Sequence, residues 1–317
     1  MLTASRTIPG DVTTMAATVN LSESRAVPAG PGTRLVVGCG FLGLRVARRW
    51  HAAGDRVLGI TRSHARAAGL AAEGIVPIVH DVTATAPSPD LEALLRAPPV
   101  DTVFWAVGFD RASGATHRDV HRGGLGRLLA ALPGAPRWIL SSSTGVWGDE
   151  SGGVVDEDTP TNPGRESAAV LVEAERLLHD HPRGPGVALR FAGLYGPERL
   201  PRLDAIRAGL PIASDPDSWL NLIHGDDAAA IVCAVAAVAR PAPLYVVSDG
   251  HPVRRRDWYG CLARATGSPP PTWDAAAPRA RAADKRVDPA RLFRDVPIEL
   301  AHPNPLESLE RMVRALP

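Results

Sequence analysis

Leu35-Val36-Val37-Gly38-Cys39-Gly40-Phe41-Leu42-Gly43 is the stretch that decides the fold. A short run of β-branched residues, which predicts a buried strand, leads into glycines with the spacing G-x-G-x-x-G and then into a helical pattern. Glycines at this spacing let a chain turn tightly and let its backbone approach a pyrophosphate. On its own the motif is a weak signal, because glycine-rich turns between strands and helices are common. Further motifs along the chain are needed to predict whether a dinucleotide binds here.

The composition indicates a globular protein of a reducing compartment. The chain has 317 residues, of which 45% are hydrophobic, enough for one large domain or two unequal lobes. With 35 Lys and Arg against 34 Asp and Glu, the formal net charge of +1 favours neither nucleic acid nor an anionic membrane as a partner. Cys39, Cys233 and Cys261 lack the spacing of a metal site or a disulfide framework, which favours the cytoplasm. No metal site is predicted, and no apolar run reaches the roughly 18 residues of a membrane span.

The patterns divide the chain into three parts. Residues 1–33 mix Thr, Ser, Ala, Pro and Gly without a signal-peptide pattern, which predicts a flexible extension in which Met15 is a second possible translation start. Residues 34–190 alternate strand and helix patterns, which predicts an α/β fold with a Rossmann-type doubly wound parallel sheet. Residues 191–317 interrupt this rhythm, so we expect them to complete the core and form a smaller C-terminal substrate lobe.

Small and hydroxyl residues follow two of the predicted strands. The strand Thr102–Val107 reaches Gly108, and the strand Trp138–Leu140 reaches Ser141–Thr144. Ligands of open parallel sheets bind beyond the carboxyl ends of the strands, where small residues leave space. A further strand over residues 75–79 contains a proline, which predicts a bulge or a strand end.

The residues after the second predicted strand indicate which dinucleotide binds. In a dinucleotide fold an acid about 20 residues beyond the glycines accepts a hydrogen bond from the ribose 2′-hydroxyl, whereas a 2′-phosphate needs a cation. This chain has Thr61, Arg62, Ser63 and His64 there. Because none of them is acidic, we predict NADP(H) over NAD(H), with Arg62 on the 2′-phosphate and Ser63 in support. The alternative is that Arg62 is a solvated surface charge.

Several ordered motifs resemble those of the extended short-chain dehydrogenases/reductases. Gly38–Gly43 resembles their phosphate turn, Asp81-Val82 resembles their adenine-contacting pair, and Ser141–Gly148 resembles their S-S-S-x-x-V-Y-G stretch. Arg190–Pro197 is similar to R-x-x-x-x-Y-G-P, and Leu222–Ala228 is similar to I-H-V-D-D-A. The resemblance implies the same fold and a set of cofactor contacts: Gly38, Gly40, Phe41, Leu42, Gly43, Arg62, Ser63, Asp81, Val82, Ala106, Val107, Gly108, Ser141, Gly193 and Leu194.

The chain departs from this family at its Tyr-x-x-x-Lys pair. Counted from Pro163 and Glu175, the tyrosine position falls on Ser167 and the lysine position on Leu171. In the family the tyrosine exchanges a proton because the lysine lowers its pKa, and a serine beside a leucine has no comparable acidity. The chain therefore resembles an atypical, tyrosine-less branch of the extended family, often named epimerase-like from the fold alone.

Three residues are candidates to replace the lost acid. Ser143 follows the fifth predicted strand and could hydrogen-bond a substrate oxygen or nitrogen, or else its own turn. Tyr195 could border the substrate or pack through its ring. His224 titrates near neutrality and could donate a proton, or could order the helix that follows. Asp226 and Asp227 are predicted first as N-caps of that helix.

We therefore predict an NADP(H)-dependent oxidoreductase acting on a carbonyl, imine or alcohol of a small metabolite. Two alternatives stay open. One is a non-redox epimerase, dehydratase or cyclase, and the other is a non-catalytic NADP(H) sensor, for which Ser167 and Leu171 argue. The expected partner is a small molecule, and the resemblance allows a homodimer through helices flanking the sheet. Residues 275–283 are expected to form a cover, beside which Lys285 and Arg286 could meet an anionic ligand or water.

Overall fold

The structure is a computed structural model that describes residues 31–148, 150–182, 186–274 and 284–314. Nearly all of the predicted extension, and the predicted cover at 275–283, lie outside the described residues. The described strands are β1 Thr33–Val37, β2 Arg56–Thr61, β3 Val76–Val79, β4 Thr102–Trp105, β5 Arg137–Ser143, β6 Val154–Val155, β7 Val187–Phe191, β8 Gly193–Tyr195, β9 Trp219–Leu220, β10 Leu222–His224, β11 Leu244–Val247, β12 Val253–Arg254 and β13 Arg286–Val287. The described α-helices are α1 Phe41–Ala52, α2 His64–Ala72, α3 Pro89–Arg96, α4 Leu125–Ala131, α5 Glu166–His179, α6 Leu203–Arg207, α7 Gly225–Ala237, α8 Arg255–Ala265, α9 Ala290–Asp295 and α10 Pro305–Arg314.

A seven-stranded sheet in the order β11-β7-β5-β4-β1-β2-β3 forms the centre of the structure, and all of its strand pairs are parallel. The Rossmann-type sheet expected from the sequence is thereby confirmed. β1 pairs with β2 on one side and with β4 on the other, so the chain changes direction across the sheet at β1. Open α/β sheets bind ligands at this topological switch point.

Two hydrophobic clusters cover the two faces of the sheet. On one face α1 and α7 pack through apolar residues at helical spacing, such as Val46 and Ile231. On the other face α3, α4 and α5 pack through Leu91, Leu129 and Leu178. Because both faces are buried, the strands themselves are almost continuously apolar.

A third hydrophobic cluster holds α6, α8 and α10 together next to β8 and β10. The apolar face of α10 packs here through Leu309 and Val313, which are both buried. Among the described residues, none of the helices has the length and apolar character needed to cross a membrane.

The strand that contains Pro77 differs from the expectation. β3 pairs with β2 in continuous register from Val76 to Val79, without a bulge. β3 lies at the edge of the sheet, where the missing N–H of a proline costs no ladder hydrogen bond.

The start of α7 also differs from the expectation. The helix begins at Gly225, and its N-cap is His224, whose ring accepts a hydrogen bond from the backbone N–H of Asp226. The prediction that Asp226 and Asp227 cap this helix is wrong, since both lie within its first turn. Acidic side chains in the first turn still interact favourably with the positive end of the helix dipole.

A buried ion pair fixes α5 against β5 and β7. The guanidinium of Arg190 donates to Glu175 through Nε at 3.0 Å and through Nη2 at 2.7 Å. Ser142 Oγ donates to the same carboxylate at 2.5 Å, and the Arg190 guanidinium lies 4.6 Å from the Trp147 ring centre. Both charged side chains are about 95% buried, so each depends on the other for compensation.

Glu175→Gln tests this dependence. The substitution leaves the Arg190 charge buried without its carboxylate, so we expect the free energy of unfolding to fall by about 3 kcal/mol or more. Urea denaturation measures the change. Glu92→Gln, which breaks the exposed pair with Arg96 on α3, is the matched control and should cost less than about 0.5 kcal/mol. Equal losses in the two variants would contradict the assignment.

Candidate functional site

The glycine turn brings β1, α1 and the end of β4 into close backbone contact. Gly38 has a φ of +91°, and a Cβ atom there would lie 2.8 Å from Val107 Cα. A Cβ atom on Gly43 would lie 2.1 Å from the carbonyl oxygen of Gly38. A Cβ on Gly40 would have no atom within 4 Å, so this side of the turn is open to a ligand.

The start of α1 is free to bind an anion. Its N-cap residue is Gly40, which has no side chain to satisfy the first N–H groups of the helix. Such N–H groups, together with the positive end of the helix dipole, are suited to a phosphate group. The glycine turn and this helix end therefore fit the pyrophosphate of a dinucleotide.

A cleft of about 410 Å³ lies beyond the carboxyl ends of β1 to β4, and we call it the switch-point cleft. Its lining residues are Gly38, Cys39, Gly40, Ile60, Thr61, Arg62, Arg66, His80, Asp81, Val82, Thr83, Ala106, Val107, Gly108, Phe109, Asp110, Ser113 and Val120. This set brings together eight of the residues expected to bind a cofactor, namely Gly38, Gly40, Arg62, Asp81, Val82, Ala106, Val107 and Gly108. Sequence reasoning missed Thr83 and Phe109, which follow predicted strands at this same edge.

The other expected cofactor contacts have different positions. Leu42 and Gly43 face the core, and the Phe41 ring stacks under the Arg45 guanidinium, 4.1 Å from its centre. Ser63 caps α2, because its Oγ accepts a hydrogen bond from the N–H of Arg66. Ser141 lies on β5 and, like Phe41 and Ser63, is absent from the lining of the switch-point cleft.

Arg62 is ion-paired across the mouth of the switch-point cleft. Its guanidinium contacts the carboxylate of Asp110 in the loop after β4. A hydrogen bond from the Ala112 N–H, together with the Arg62 charge, lowers the pKa of Asp110. About half of each side chain is exposed, so the pair is accessible to a competing anion.

A second cleft, of about 600 Å³, lies beyond the carboxyl ends of β5 and β7, and we call it the serine cleft. Its lining residues are Ser143, Thr144, Gly145, Trp147, Gly148, Gly164, Arg165, Ser167, Ala168, Leu171, Phe191, Ala192, Gly193, Leu194, Arg199, Trp219, Leu220, Asn221, Arg255 and Lys285. It includes two more of the expected cofactor contacts, Gly193 and Leu194. Ser167 and Leu171, which occupy the counted positions of the missing tyrosine and lysine, line it together with Ser143.

Ser143 is held at the end of β5 by its own turn. Its Oγ accepts a hydrogen bond from the N–H of Gly145 at 3.0 Å and caps the short helical turn that follows. Neighbouring Ser142 points the opposite way, into the buried pair beneath α5, as alternation along a strand requires. A serine that accepts through one lone pair still has its own proton to donate, so Ser143 can act as a donor in the serine cleft.

Tyr195 and His224 lie outside the linings of both clefts. Tyr195 is fully buried and packs edge-to-face against His224 and against Trp258, at ring distances of 5.2 Å and 5.1 Å. Burial, and secondly the charge of nearby Asp249, raises the pKa of Tyr195. These contacts favour the packing role that sequence reasoning allowed for Tyr195.

The His224 ring stacks on His302 at 3.6 Å. Burial and the neighbouring His302 lower the pKa of His224 to about 4, so the ring is neutral at pH 7. Asp226 completes a group whose potential ligand atoms lie within 4.8 Å of one another. Because His224 Nδ1 already accepts a hydrogen bond from the N–H of Asp226, and Arg45 already pairs with the Asp226 carboxylate, we interpret the group as a packing cluster.

Lys285, for which the sequence left an anionic ligand or water as the contact, lies in the serine cleft. It is 5% exposed, and its Nζ donates to the carbonyl oxygens of Trp147 and Gly148 at 2.9 Å and 3.3 Å. Asn221 holds the backbone that follows it, donating to the Lys285 carbonyl and accepting from the N–H of Val287. Lys285 and Trp147 are 138 positions apart in the chain, so no local pattern could have paired them.

The chain resembles known proteins over most of its length. The model of the NAD dependent epimerase/dehydratase family matches residues 34–247. Protein YeeZ of Escherichia coli (strain K12) is 30% identical over 275 residues, which cover 86% of this chain and 96% of YeeZ.

Two solved structures illustrate the structural likeness. A functionally unknown conserved protein from Silicibacter pomeroyi DSS has a TM-score of 0.69 at 26% identity, over 89% of this chain and 98% of that one. The UDP-glucose 4-epimerase of Thermus thermophilus, solved in complex with NAD, has a TM-score of 0.71 at 19% identity, over 89% of this chain and 98% of that one. The second likeness is one of fold alone.

Asp249, next to the Tyr195 cluster, provides a pH-dependent prediction. It is 3% exposed, and its Oδ2 atom has no hydrogen-bond partner among the described residues. Burial, with a further contribution from the charge of Asp227, raises the pKa of Asp249 to about 8. The folded protein therefore holds a proton that the unfolded chain, with an aspartate pKa of about 3.9, releases.

The stability that the proton on Asp249 contributes to the folded protein is fully present below about pH 4, and it is lost progressively as the pH rises to about 8. Asp249→Asn has no such proton, so the stability of the variant should gain on that of the wild type by up to about 1.4 kcal/mol per pH unit in this window. Urea denaturation of both proteins from pH 5 to about pH 8 measures the difference. Parallel pH profiles for the two proteins would contradict the assignment.

Proposed function

Because the chain belongs to the NAD dependent epimerase/dehydratase family, we propose that it is an NADP(H)-dependent enzyme that oxidises or reduces a carbonyl, imine or alcohol of a small metabolite. The observation that carries the proposal is the pair of clefts at the carboxyl edge of the sheet. The switch-point cleft ends at β4 and the serine cleft begins at β5, and these two strands are paired neighbours. A dinucleotide site and a substrate site therefore adjoin.

The switch-point cleft supplies groups suited to each part of the cofactor. Gly38, Gly40 and the first N–H groups of α1 would hold the pyrophosphate. Asp81 and Val82 would border the adenine, and Arg62 would bind the 2′-phosphate. When bound, the nicotinamide ring supplies hydride exchange with the substrate.

The serine cleft supplies the polar contacts of the substrate. Ser143 donates its hydroxyl proton to the oxygen or nitrogen of the reacting carbon and so orients and polarises that bond. Since Tyr195 and His224 lie outside both clefts, we assign the exchanged proton to water or to the substrate itself.

Non-redox chemistry of the epimerase or dehydratase type is the second candidate, and the family match favours it. Such an enzyme would return the hydride to the same substrate, so the cofactor would show no net change. A panel of ketones, aldehydes, imines and alcohols, followed at the nicotinamide absorbance band, separates the two candidates. Net cofactor turnover supports the oxidoreductase, and product formation without it supports the second candidate. Tight NADPH binding without any turnover would leave the sensor as the function.

Arg62 and Asp110 test the choice of cofactor. Arg62→Ala removes the cation proposed for the 2′-phosphate, so we expect the Kd for NADPH to rise about tenfold and the Kd for NADH to stay within about twofold. Asp110→Asn removes the carboxylate that competes with the phosphate, so it should tighten NADPH binding and leave NADH binding unchanged. Fluorescence titration measures both constants.

Arg96→Ala removes an exposed, ion-paired arginine of α3 outside both clefts and serves as the control. Equal affinities of the wild type for NADPH and NADH would contradict the assignment of Arg62.

Ser143→Ala tests the substrate site. Loss of the donor hydroxyl should lower kcat about a hundredfold on a panel compound that the wild type turns over, because the hydrogen bond that stabilises the charge developing in the transition state is lost. The Kd for NADPH should stay within about twofold of the wild type. Ser268→Ala, at a serine outside both clefts, is the matched control. An unchanged kcat in Ser143→Ala would remove the serine from the mechanism.

A further inference from the structure

A third cavity, of about 200 Å³, lies between α3 and α4, and we call it the α3–α4 pocket. Apolar side chains from one face of each helix form much of its lining, namely Leu91 and Leu95 of α3 and Leu128 and Ala131 of α4. Ile60 of β2 and the short segment 84–87 before α3 border the same space. Folded proteins contain few voids larger than a water molecule, so a space of this size is available to a ligand.

The α3–α4 pocket adjoins the switch-point cleft but is a separate space. Ile60, His80 and Val82 line both cavities and form the wall between them. Asp81, which is proposed to border the adenine, lines the switch-point cleft alone, whereas Leu91 lines the α3–α4 pocket alone. A molecule in the α3–α4 pocket would therefore occupy different contacts from those proposed for the cofactor.

Hydrogen bonds hold the walls of the α3–α4 pocket in place. The N–H of Ser88 donates to His80 Nδ1 at 3.4 Å, and Ser88 Oγ accepts from the N–H of Leu91 at the start of α3. On the side of α4, Arg127 Nη2 donates to the Val82 carbonyl at 2.6 Å. The pocket is thus formed in the protein itself, so a ligand does not have to order these segments when it binds.

The polar side chains of the α3–α4 pocket offer few partners to water. Those of His80 and Arg127 already make the hydrogen bonds just described, and Thr85 lies on the exposed side. Burial lowers the pKa of His80, so its ring is neutral at pH 7. A buried water needs about two to four polar partners, whereas a cavity of roughly 150 Å³ lined by apolar side chains stays dry and binds benzene. The pocket therefore favours an apolar occupant about the size of a ring.

Arg127 gives the α3–α4 pocket a preference among apolar rings. It is the one charged side chain in the lining among the described residues. It is also not ion-paired with any carboxylate in the part of the chain that the structure describes. A guanidinium beside an apolar space attracts the face of an aromatic ring, which carries partial negative charge, more than an aliphatic ring of the same size.

We propose that the α3–α4 pocket binds a small neutral aromatic molecule, with its ring among Leu91, Leu95 and Leu128 and beside the Arg127 guanidinium. This site goes beyond the proposed function and does not depend on it. The serine cleft and the switch-point cleft keep their proposed ligands while the α3–α4 pocket is occupied.

Amide chemical-shift titration of the isotope-labelled full-length protein tests the proposal. The probes are phenol and cyclohexanol, which share ring size and a hydroxyl group and differ in aromaticity. We expect phenol to cause saturable shifts at Leu91, Leu95 and Leu128, with a Kd of about 1 mM or tighter. Cyclohexanol should bind about threefold more weakly, because it lacks the aromatic face.

Variants of the lining locate the site. Leu128→Trp fills the pocket, so the Kd for phenol should rise about tenfold or more. Ala131→Phe fills it from an exposed helix position and keeps the test valid where Leu128→Trp does not fold. Leu210→Trp, at an exposed leucine outside all three cavities, is the matched control and should bind phenol as the wild type does.

Arg127→Gln and Arg127→Lys test the role of the charge. The glutamine variant should bind phenol about threefold more weakly and cyclohexanol as the wild type does, whereas the lysine variant should keep the preference for phenol. Three results overturn the proposal: no saturable shift with phenol, an unchanged Kd in both filling variants, or shifts confined to residues of the switch-point cleft such as Asp81 and Gly108. Equal affinities of the wild type for phenol and cyclohexanol overturn the assignment of an aromatic ligand.

Discussion

The backbone contact at Gly38 is the constraint on which the rest of the site depends. Strand β1 and the end of β4 can approach as they do only because residue 38 has no side chain and adopts a positive φ. Gly43 allows α1 to cross the same turn, where a Cβ atom would collide with the Gly38 carbonyl. The turn, the start of α1 and the end of β4 then form one continuous wall. A dinucleotide can reach backbone N–H groups along that wall because nothing projects from Gly40.

The serine cleft depends on a different kind of contact. Its floor is fixed by the buried Arg190–Glu175 pair, which also holds Ser142 and so sets the direction in which Ser143 points. Its outer wall comes from the C-terminal third of the chain, through residues such as Trp219 and Arg255. The switch-point cleft is therefore formed by close backbone packing at glycines. The serine cleft depends on charged side chains whose partners lie far away in the sequence.

That contrast explains how much the sequence could predict. Glycine spacing and the alternation of strand and helix patterns are local signals, and they correctly predicted the parallel sheet. Eight of the cofactor contacts that the family resemblance implied line the switch-point cleft, and their contact with a cofactor stays a prediction. The Ser63 cap is local too. Lys285 and Arg199 reach the serine cleft through tertiary packing, which leaves no periodic signal. Tyr195 was predicted as a candidate acid because motifs report position along the chain and not burial.

The two clefts also differ in their charged side chains. Arg62 stands at the mouth of the first with Asp110 as an exchangeable partner, while the second carries positive charge without any acidic lining residue among those described. The most direct test of this arrangement is a crystal structure of the protein soaked with NADPH. We expect the 2′-phosphate on Arg62, the pyrophosphate at Gly38 and Gly40, and the nicotinamide ring at the boundary between the clefts, within reach of Ser143. Density for the nucleotide elsewhere, or no bound nucleotide at saturating concentration, would contradict it.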